Sequence, residues 1–418
     1  MKENGQEVNE KTLLVNEVLA DNSPEGQHEK QLSRYAAAKQ RQELVSDFIL
    51  QEINATGTQR LHKELVALLE CGSFLLYRHF YTIGEYKLTA GCTCKKHLLC
   101  ALCAIRRAAK CIALYTQKIN LVRENQEFEE VLITFTVRHS ADDPLDKSFN
   151  LLLESMKKLI QKRTDSLKKN ARTDTEMKHL VGGAYAYEVT FSSENGFHPH
   201  CHMIALVPKG AFHFTKKTLK NKKALVPKVL RDGIIEDWMK ITDGSNIIDV
   251  RKIENTEMVD PGQDIKGSRI EALVEVFKYA LKMNHMDKSS ESDSKENIRL
   301  QLAAYDVLKG RRLMGSFGNL RGVQIPDNLN DEPLDAAELP YIDLVYQYSG
   351  LFGYQLTTHG EVDVTNVSPR KLNDDRYLAH VINQSEQIIK PAKKKNPVPF
   401  KKLDLKRMVE DYVNEELL

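Results

Sequence analysis

Residues 182–208 read GGAYAYEVTFSSENGFHPHCHMIALVP and have the pattern of a β-hairpin. An alternating run rich in Ala, Tyr and Val precedes the tripeptide Glu-Asn-Gly at 194–196, and an apolar run follows it. Because successive side chains of a strand point to opposite faces, we expect His198, His200 and His202 to project from one face. The hairpin therefore predicts a sheet with a row of three imidazoles.

The three histidines of this strand, His198, His200 and His202, form a candidate metal site. Imidazoles at positions i and i+2 of a strand can bind one divalent ion, and Glu188 on the preceding strand could add a carboxylate oxygen. Three imidazoles suit Zn²⁺, whereas two imidazoles with a carboxylate suit Mg²⁺ or Mn²⁺ acting on phosphate. One histidine alone is more often a core residue, but three at strand spacing favour a metal site.

A second pattern, EALVEVFKYALKMN at residues 271–284, predicts part of a helix over 269–283. At helical spacing Glu275, Tyr279 and Lys282 lie on one face. A phenol is a poor nucleophile unaided, because its pKa is about 10. Opposite a metal-bound phosphate Tyr279 could attack, with Lys282 adding positive charge and Glu275 acting as general base. The alternative is an amphipathic helix whose side chains form ordinary surface pairs.

A third pattern is the cysteine-rich run CTCKKHLLCALCAIRRAAKC at residues 92–111. Its CxxC pair has the spacing of a structural zinc knuckle, and the upstream CxC can complete four thiolates. The predicted zinc ligands are Cys92, Cys94, Cys100 and Cys103. Arg106 and Arg107 follow on the predicted helix, where they would face a phosphate backbone. A set of buried free thiols is the alternative.

The composition excludes several classes of protein. The chain has 418 residues, of which 41% are hydrophobic and 28% charged, so it is too apolar for a disordered protein. It has no stretch near the ~20 apolar residues of a membrane span, and its start lacks the apolar core of a signal peptide. Seven cysteines, an odd number, indicate reduced thiols. We therefore expect a cytoplasmic protein without a membrane partner.

The charges are segregated along the chain, although 60 Lys and Arg nearly balance 58 Asp and Glu. Residues 86–123 and 209–231 contain many Lys and Arg and no acid. Such blocks suit a polyanion partner, and Lys216 and Lys217 are candidate DNA contacts in the second block. The alternative for either block is a solvated helix face. Elsewhere the periodicity predicts helix over about residues 30–80 and a strand at 131–137. The lysine-rich stretch that ends at Trp238 is also predicted to be helical.

In their order along the chain, these motifs resemble the rolling-circle replication initiators (Rep proteins) of small bacterial plasmids, within the HUH endonuclease class. The similarity spans about residues 65–325. The matching segments are Thr134–Val137, Glu188–Thr190, His198–His202, Glu275 with Tyr279 and Lys282, and Leu308–Leu313. The cysteine run and the dipeptide Cys71-Gly72 are also similar to the family.

The resemblance implies roles for the residues of these motifs. His200 and His202 would be the metal pair, Tyr279 the nucleophile, and Glu275 would promote the second cleavage that ends a replication round. The implied fold is α+β, an antiparallel HUH endonuclease-type sheet flanked by helices and preceded by a helical, cysteine-rich part. The chain departs from the two-tyrosine scheme, since Met283 stands four residues after Tyr279.

The predicted organisation has four parts. They are a flexible lead-in at 1–30, a helical region with the cysteine cluster at 31–125, the nuclease domain at 126–325, and a partly mobile C-terminal region with a basic tail at 326–418. Arg311 and Arg312, in the last motif of the nuclease domain, are further predicted DNA contacts.

The activity implied by the resemblance is an origin-specific single-strand endonuclease and strand transferase. It would leave a 5′-phosphotyrosine and a free 3′-OH primer, use Mg²⁺ or Mn²⁺, and contain structural Zn²⁺. Its partners would be the plasmid double-strand origin, a host helicase and a host DNA polymerase. Whether it also forms a homodimer is left open by the sequence. The chain has no GxxxxGK[ST] phosphate loop, so unwinding would need the host helicase.

Two alternatives stay open. An HUH transposase or mobilisation relaxase would share this chemistry but cleave other DNA. A non-enzymatic zinc DNA-binding regulator would use the histidines as a second structural site, and Tyr279 would be dispensable for its function. Formation of a covalent adduct between protein and DNA would separate the enzymes from the regulator.

Overall fold

The computed structural model describes residues 24–56, 60–192, 194–219, 222–254, 268–278, 281–282, 291–331 and 339–360. In chain order the helices of these residues are α1 (Pro24–Thr56), α2 (His62–Glu70), α3 (Ala101–Arg123), α4 (Leu145–Ser166), α5 (Lys228–Thr242), α6 (Arg269–Phe277) and α7 (Glu291–Leu308). The strands are β1 (Phe74–Phe80), β2 (Glu85–Gly91), β3 (Phe128–Thr136), β4 (Gly182–Ser192), β5 (Gly196–Pro208), β6 (Phe214–Leu219), β7 (Lys222–Pro227), β8 (Ile248–Lys252), β9 (Leu281–Lys282), β10 (Met314–Gly318), β11 (Ile342–Tyr348) and β12 (Tyr354–Gly360). The predicted α+β class is confirmed.

The chain divides into two compact units. The described part of the first, here called the large unit, comprises residues 107–325. The second, here called the small unit, comprises the described residues up to Arg106 and those from Pro326 onward. The boundary between Arg106 and Arg107 falls within α3. In the described part of the chain, the helices are all too short or too polar to cross a membrane.

The large unit contains a sheet with the strand order β10-β4-β5-β3-β8, to which β9 adds in parallel beside β4. The other pairings in this sheet are antiparallel. The hairpin predicted from residues 182–208 is present as β4 and β5, and β5 lies in the middle of the sheet. In its register Glu188 stands opposite His200, and His202 stands between Ala186 and Thr134.

Helices cover both faces of this sheet. On one face, Phe149 of α4 meets Tyr187 with ring centroids 5.8 Å apart, and Trp238 of α5 lies 5.1 Å from Phe135. These rings and their neighbours are buried, and they form an apolar core. The opposite face has the imidazoles of β5, and α6 packs there. The HUH-type assignment of this sheet stays a prediction.

The prediction of a lysine-rich helix ending near residue 238 is wrong for the first part of that stretch. Strands β6 and β7 form a two-stranded hairpin, and helix α5 begins only at Lys228. Thr, Phe and Val favour extended backbone, and long lysine side chains tolerate an exposed ribbon. Both Lys216 and Lys217 are exposed on β6.

The small unit combines helices α1 and α2 with a sheet in the order β12-β11-β1-β2. The prediction of continuous helix over residues 30–80 is wrong for β1, which follows α2 after the turn at Gly72. Strand β11 pairs antiparallel with β1, and Arg78 Nε lies 3.2 Å from the fully buried Asp343 Oδ1. Residues after 326 therefore complete a sheet that begins near residue 74.

The four-part division predicted from the sequence stays a prediction. Along the chain, the boundaries between the two compact units fall at 106/107 and 325/326. Of the predicted flexible lead-in at 1–30, residues 1–23 lie outside the described residues, whereas residues 24–30 are helical and begin α1. The basic tail from 361 also lies outside the described residues.

Candidate metal centres

Three side chains of the large unit converge on the imidazole face of the sheet: Glu188 of β4, His202 of β5 and Glu275 of α6. His202 Nε2 lies 2.8 Å from Glu188 Oε2 and 3.9 Å from Glu275 Oε1. One donor atom from each residue lies within 4.8 Å of the others. The side chains of His202 and Glu188 are 8% and 5% exposed, so the cluster is nearly enclosed.

The ring of His202 is held from both sides. Its Nδ1 lies 3.1 Å from Thr134 Oγ1, while its Nε2 faces Glu188. A hydroxyl on the far nitrogen fixes the ring orientation in the way that partners of metal-bound histidines do. The local cause is the strand register, since Thr134 of β3 stands directly opposite His202.

Lys278, the residue after the end of α6, enters the same cluster. Its Nζ lies 2.7 Å from Glu275 Oε1 and 3.2 Å from Glu188 Oε2, and its side chain is 11% exposed. Burial alone would lower the pKa of Lys278, but the charges of Glu188 and Glu275 outweigh it and raise that pKa. Lys278 is therefore a permanent cation beside the two acids.

The pKa of Glu188 moves in the complementary direction. Burial alone would raise it, but the hydrogen bond with His202 and the charge of Lys278 hold it below its usual value. Glu188 is therefore ionised, as a metal ligand must be. Sequence reasoning did not find Lys278 and assigned the positive charge to Lys282. Its position three residues after Glu275 is the signal that was available.

The residues of this cluster fit a divalent ion. Glu188 Oε1 is buried and has no hydrogen-bond partner in the described part of the structure. An orphaned carboxylate oxygen of this kind has unused capacity for a cation. Two carboxylates and one imidazole are a donor set suited to Mg²⁺ or Mn²⁺ rather than to a structural Zn²⁺. The structure thus contains a Glu/His site that shares Glu188 and His202 with the predicted ligands and adds Glu275, which was predicted as a catalytic residue. The identity of its metal stays a prediction.

His200, predicted as the partner of His202 on the metal, lies beside this cluster. Its Nδ1 is 3.4 Å from Thr136 Oγ1 and its Nε2 is 3.3 Å from Thr190 Oγ1. Its ring centroid is 5.9 Å from that of His202. Burial, with a smaller contribution from His198, lowers the pKa of His200 to about 3, so the imidazole is neutral. A neutral imidazole can ligate, and the metal role of His200 stays a prediction.

Two further imidazoles, those of His198 and His139, extend the row beyond His200. The His198 ring lies 4.1 Å from that of His200, and the His139 ring lies 4.5 Å from that of His198. The donor atoms of the three-residue cluster do not include His198, whose predicted role as a ligand stays untested. His139 was not found from the sequence, because it stands in the loop after β3.

The continuous helix predicted over 269–283 is wrong in its second half. Helix α6 ends at Phe277, Lys278 adopts an extended ψ of 172°, and Leu281 then pairs with Val189 of β4. The ion pairs of Lys278 with the two acids accompany this turn of the chain. Glu275 and Lys282 therefore do not share one helix face. Tyr279 and the side chain of Lys282 lie outside the described residues.

The position of α6 is fixed by buried polar contacts at its start. Ser268 Oγ accepts a hydrogen bond from the Glu271 N–H at 3.1 Å, which caps the helix. Arg269 Nε donates to both oxygens of Glu130 at 2.9 and 2.8 Å, and its Nη1 donates to Asn120 Oδ1 at 2.7 Å. Such a bidentate buried pair is geometrically specific, so it holds Glu275 against the sheet.

A second cluster, in the small unit, consists of four cysteines: Cys71, Cys94, Cys100 and Cys103. Cys71 follows α2, Cys94 follows β2, and the other two flank the first turn of α3. This cluster differs from the predicted ligand set at one position, because Cys71 lies among the four sulfurs in the place expected for Cys92. The ligand set itself stays a prediction. Local spacing favoured Cys92, whereas the chain path from α2 into β1 brings Cys71 to the cluster. The signal available in the sequence was the family's Cys-Gly dipeptide.

The four thiols perturb one another. Burial raises the pKa of Cys100 well above its usual value. Hydrogen bonds with Cys100, Cys103 and Cys71 lower the pKa of Cys94 far below its usual value. A cluster in which one thiol readily gives up its proton is prepared for metal binding, because the thiolate is the ligand.

Arg106, predicted to face DNA, is buried inside the small unit. Its Nη1 donates to Tyr35 Oη at 2.8 Å, and its Nη2 donates to Leu329 O and Asp331 Oδ1, both at 2.6 Å. The guanidinium thus joins α1, α3 and the segment before β11. This burial argues against the DNA contact predicted for Arg106, because its donors are used within the protein.

The other predicted DNA contacts lie in the large unit. Lys216, Lys217 and Arg312 are exposed, and Arg312 Nε donates to Met314 O at 3.0 Å. Arg311 is half-buried against Asn150 and Phe149, and Arg107 is half-buried against Met314. The three exposed cations are available to a phosphate backbone, and their role stays a prediction.

The fold and the site define an α+β protein with a mixed acid and imidazole cluster on a central antiparallel sheet. The Rep_1 family model, described as a replication protein, matches residues 85–343, which is more than half of the chain. The chain belongs to the Rep_1 family of replication proteins. The resemblance to Rep replication initiators is thereby confirmed.

Two curated relatives are similar to the chain. A "Protein rep" of Bacillus sp. is 25% identical over 283 residues, which cover 66% of this chain and 84% of that protein. A "Protein rep" of Staphylococcus aureus is 22% identical over 183 residues, which cover 43% and 71%. No solved structure matches the chain significantly.

Proposed function

We propose that this protein starts rolling-circle replication by nicking one strand of a plasmid origin through Tyr279. The observation that supports this most is the cluster of Glu188, His202 and Glu275 with Lys278. Tyr279 is the next residue in the chain after Lys278. A tyrosine that directly follows a residue of this cluster in the sequence of a Rep_1 protein supports a role as the nucleophile.

Glu188 and His202, with the predicted ligand His200 beside them, would hold Mg²⁺ or Mn²⁺. Such an ion, when bound, supplies positive charge that makes the phosphorus of the scissile phosphate more electrophilic. Lys278 adds a further positive charge beside the phosphate and limits repulsion between the acids and the DNA. The side chains of Thr134 and Glu188 keep the imidazole of His202 in one orientation.

In the nicking step the phenol oxygen of Tyr279 bonds to phosphorus and loses its proton. The bond between phosphorus and the 3′ oxygen breaks, and that oxygen takes up a proton. The products are a 5′-phosphotyrosine and a free 3′-OH, which a host polymerase would extend. One phosphodiester is exchanged for another, so the step needs no nucleotide cofactor.

Glu275 is the general base in this proposal. It lies 3.9 Å from His202 Nε2 and 2.7 Å from Lys278 Nζ, which keeps its carboxylate within the site. After one round of synthesis, Glu275 would accept the proton of the hydroxyl that attacks in the closing cleavage. Host helicase and polymerase are the expected partners, and origin DNA is the substrate.

The test is a cleavage assay on labelled single-stranded origin DNA with Mn²⁺, resolved on a denaturing gel. Wild type, Tyr279→Phe and the matched control Tyr81→Phe are compared, because Tyr81 is an exposed tyrosine of the small unit. We expect a DNA-linked protein band in wild type and in the control, and none in Tyr279→Phe. An adduct in all three would show that another residue is the nucleophile. No adduct in any would favour the non-enzymatic DNA-binding alternative.

A further inference from the structure

We propose that Cys71, Cys94, Cys100 and Cys103 bind one Zn²⁺ in a closed structural site. The cluster lies in the small unit, whereas the nicking proposal concerns residues of the large unit. The inference therefore stands whether or not the protein nicks DNA. It also assigns a role to Cys71, which the spacing of the cysteine run does not predict.

The distances between the sulfur atoms match those around a single ion. Cys71 Sγ lies 3.5 Å from Cys100 Sγ and 3.6 Å from Cys103 Sγ, and Cys94 Sγ lies 3.6 Å from Cys103 Sγ. Zinc–sulfur bonds of about 2.3 Å in a tetrahedron place the sulfurs about 3.8 Å apart. A disulfide needs about 2.05 Å, so none of these three pairs is one.

Backbone N–H groups point at the sulfurs. The Cys94 N–H lies 3.3 Å from Cys71 Sγ, the Lys96 N–H 3.5 Å from Cys94 Sγ, and the Cys103 N–H 3.4 Å from Cys100 Sγ. These donors would stabilise the negative charge of a four-thiolate site, as the outer partners of metal ligands do.

The turn at Lys95 supports the same conclusion. Lys95 has a left-handed φ of 59°, one of two positive values among the described non-glycine residues. This conformation costs energy for a residue with a Cβ. Here it turns the Lys96 N–H back toward Cys94 Sγ, so the strain coincides with a contact to a proposed ligand.

The site is closed and joins distant parts of the chain. Cys71, Cys100 and Cys103 are buried, and Cys94 is half-buried. An enclosed set of four protein ligands leaves no position for a substrate, which is typical of structural rather than catalytic zinc. The ion would connect α2, the end of β2 and the start of α3, and would stabilise the small unit by these connections.

One contact would change when the ion binds. Cys100 Sγ donates to Gln42 Oε1 at 3.0 Å, and the Gln42 amide is itself bound to the carbonyls of Leu68 and Cys71. Zinc replaces the proton of each thiol, so the Cys100 hydrogen bond would be lost. Zinc uptake should accordingly release protons.

The test uses the full chain, expressed with zinc and dialysed against buffer without metal. Elemental analysis should find about one zinc per chain. Zinc-edge X-ray absorption on wild type should show four sulfur neighbours at about 2.3 Å. This second measurement needs no variant, so it remains decisive if a cysteine variant fails to fold. Oxygen or nitrogen neighbours, or iron in place of zinc, would overturn the proposal.

The ligand set is tested with matched serine variants and Co²⁺. Thiolate-bound cobalt gives intense sulfur-to-metal charge-transfer bands, which a site made of carboxylates and imidazole does not give. We expect Cys71→Ser to lose or weaken these bands and Cys92→Ser, a neighbouring buried cysteine, to keep them. The reverse result would restore Cys92 as the ligand and reject Cys71.

Discussion

The two clusters of this protein differ in how they manage charge without a metal ion. In the small unit Cys94, whose pKa is lowered, lies among thiols that can share their protons with its sulfur. In the large unit Glu188 and Glu275 are acids, and Lys278 lies 3.2 and 2.7 Å from them. The site of four cysteines (the sulfur site) therefore suits a permanently bound ion. The site of Glu188, His202 and Glu275 (the oxygen site) suits an ion that exchanges with solvent.

The comparison also separates the tasks of the two sites. Soft thiolates in a closed cluster bind Zn²⁺ tightly and leave nothing for a substrate to contact. Hard oxygens, one of them the orphaned Glu188 Oε1, are suited to a more weakly bound Mg²⁺ or Mn²⁺, which in our proposal would contact a phosphate. In the two proposals, therefore, one type of ion would maintain the fold and the other would take part in the chemistry.

Chelation should produce the largest contrast between the sites. EDTA is expected to stop nicking reversibly, with little change in the melting temperature. A thiol-directed mercurial combined with a zinc chelator should unfold the small unit, because structural zinc contributes on the order of 10 kcal/mol to such clusters. Circular dichroism against temperature measures both effects. If EDTA alone lowered the melting temperature as much as the mercurial with the zinc chelator does, the two sites would not differ in their contribution to stability.

Replacing the imidazole of the oxygen site should remove activity and preserve the fold. We expect His202→Ala to lower the nicking rate about 10³-fold, since it removes a metal ligand and a fixed polar group. His213→Ala changes an exposed histidine and serves as the matched control. Single-turnover cleavage rates give the ratio. A loss of less than about threefold would exclude His202 from the metal site.

Removing the internal cation should destabilise the metal-free protein. Lys278→Met leaves two acids facing each other in a nearly enclosed site, so the free energy of unfolding should fall by about 3 kcal/mol. Added Mn²⁺ should raise the melting temperature more in this variant than in wild type, because the site is more negative.

The control for that variant is Lys147→Met, which breaks an exposed, solvent-screened pair with Asp143 and should change the free energy of unfolding far less. Urea denaturation with and without Mn²⁺ measures both variants. If Lys278→Met loses no more stability than this control, the ammonium is not what balances the two acids.

The smallest expected effect concerns pH and the small unit. Burial, with a contribution from His79, lowers the pKa of His28 to about 4. The folded value lies below the unfolded value of about 6.5. Stability from this group is therefore complete above about pH 6.5 and is lost as the pH falls toward 4.

His28→Phe should flatten this part of the pH dependence, since Phe preserves the stacking against Tyr86 and cannot be protonated. Urea unfolding of the small unit at pH 7 and pH 5 gives the slope, with His62→Gln as the control. The same slope in wild type and His28→Phe would mean that other groups cause the loss of stability in acid.

Local patterns predicted the part of the site that lies on regular elements. The hairpin at 182–208 placed Glu188 and His202 on one face, because alternation is a property of the strand itself. Glu275 was predicted on a helix, and it lies on α6. Each of these residues is fixed by a period that is visible within a few residues.

The features that sequence reasoning missed depend on distant contacts. Helix α6 ends at Phe277 although the apolar period continues, and Lys278, the next residue, pairs with Glu188 from a different element as well as with Glu275 of α6. Cys71 joins the sulfur cluster through the chain path around β1, which no local spacing encodes. The β6–β7 hairpin was predicted as helix, since its lysines are compatible with both structures.

The small unit is assembled from two stretches of chain that are far apart in the sequence. Arg78 of β1 and Asp343 of β11 pair across 265 positions, and the described residues of the large unit occupy the interval. During synthesis the large unit can fold before β11 leaves the ribosome, while β1 keeps an open edge until then. The small unit should therefore become resistant to protease once residue 360 has left the ribosome.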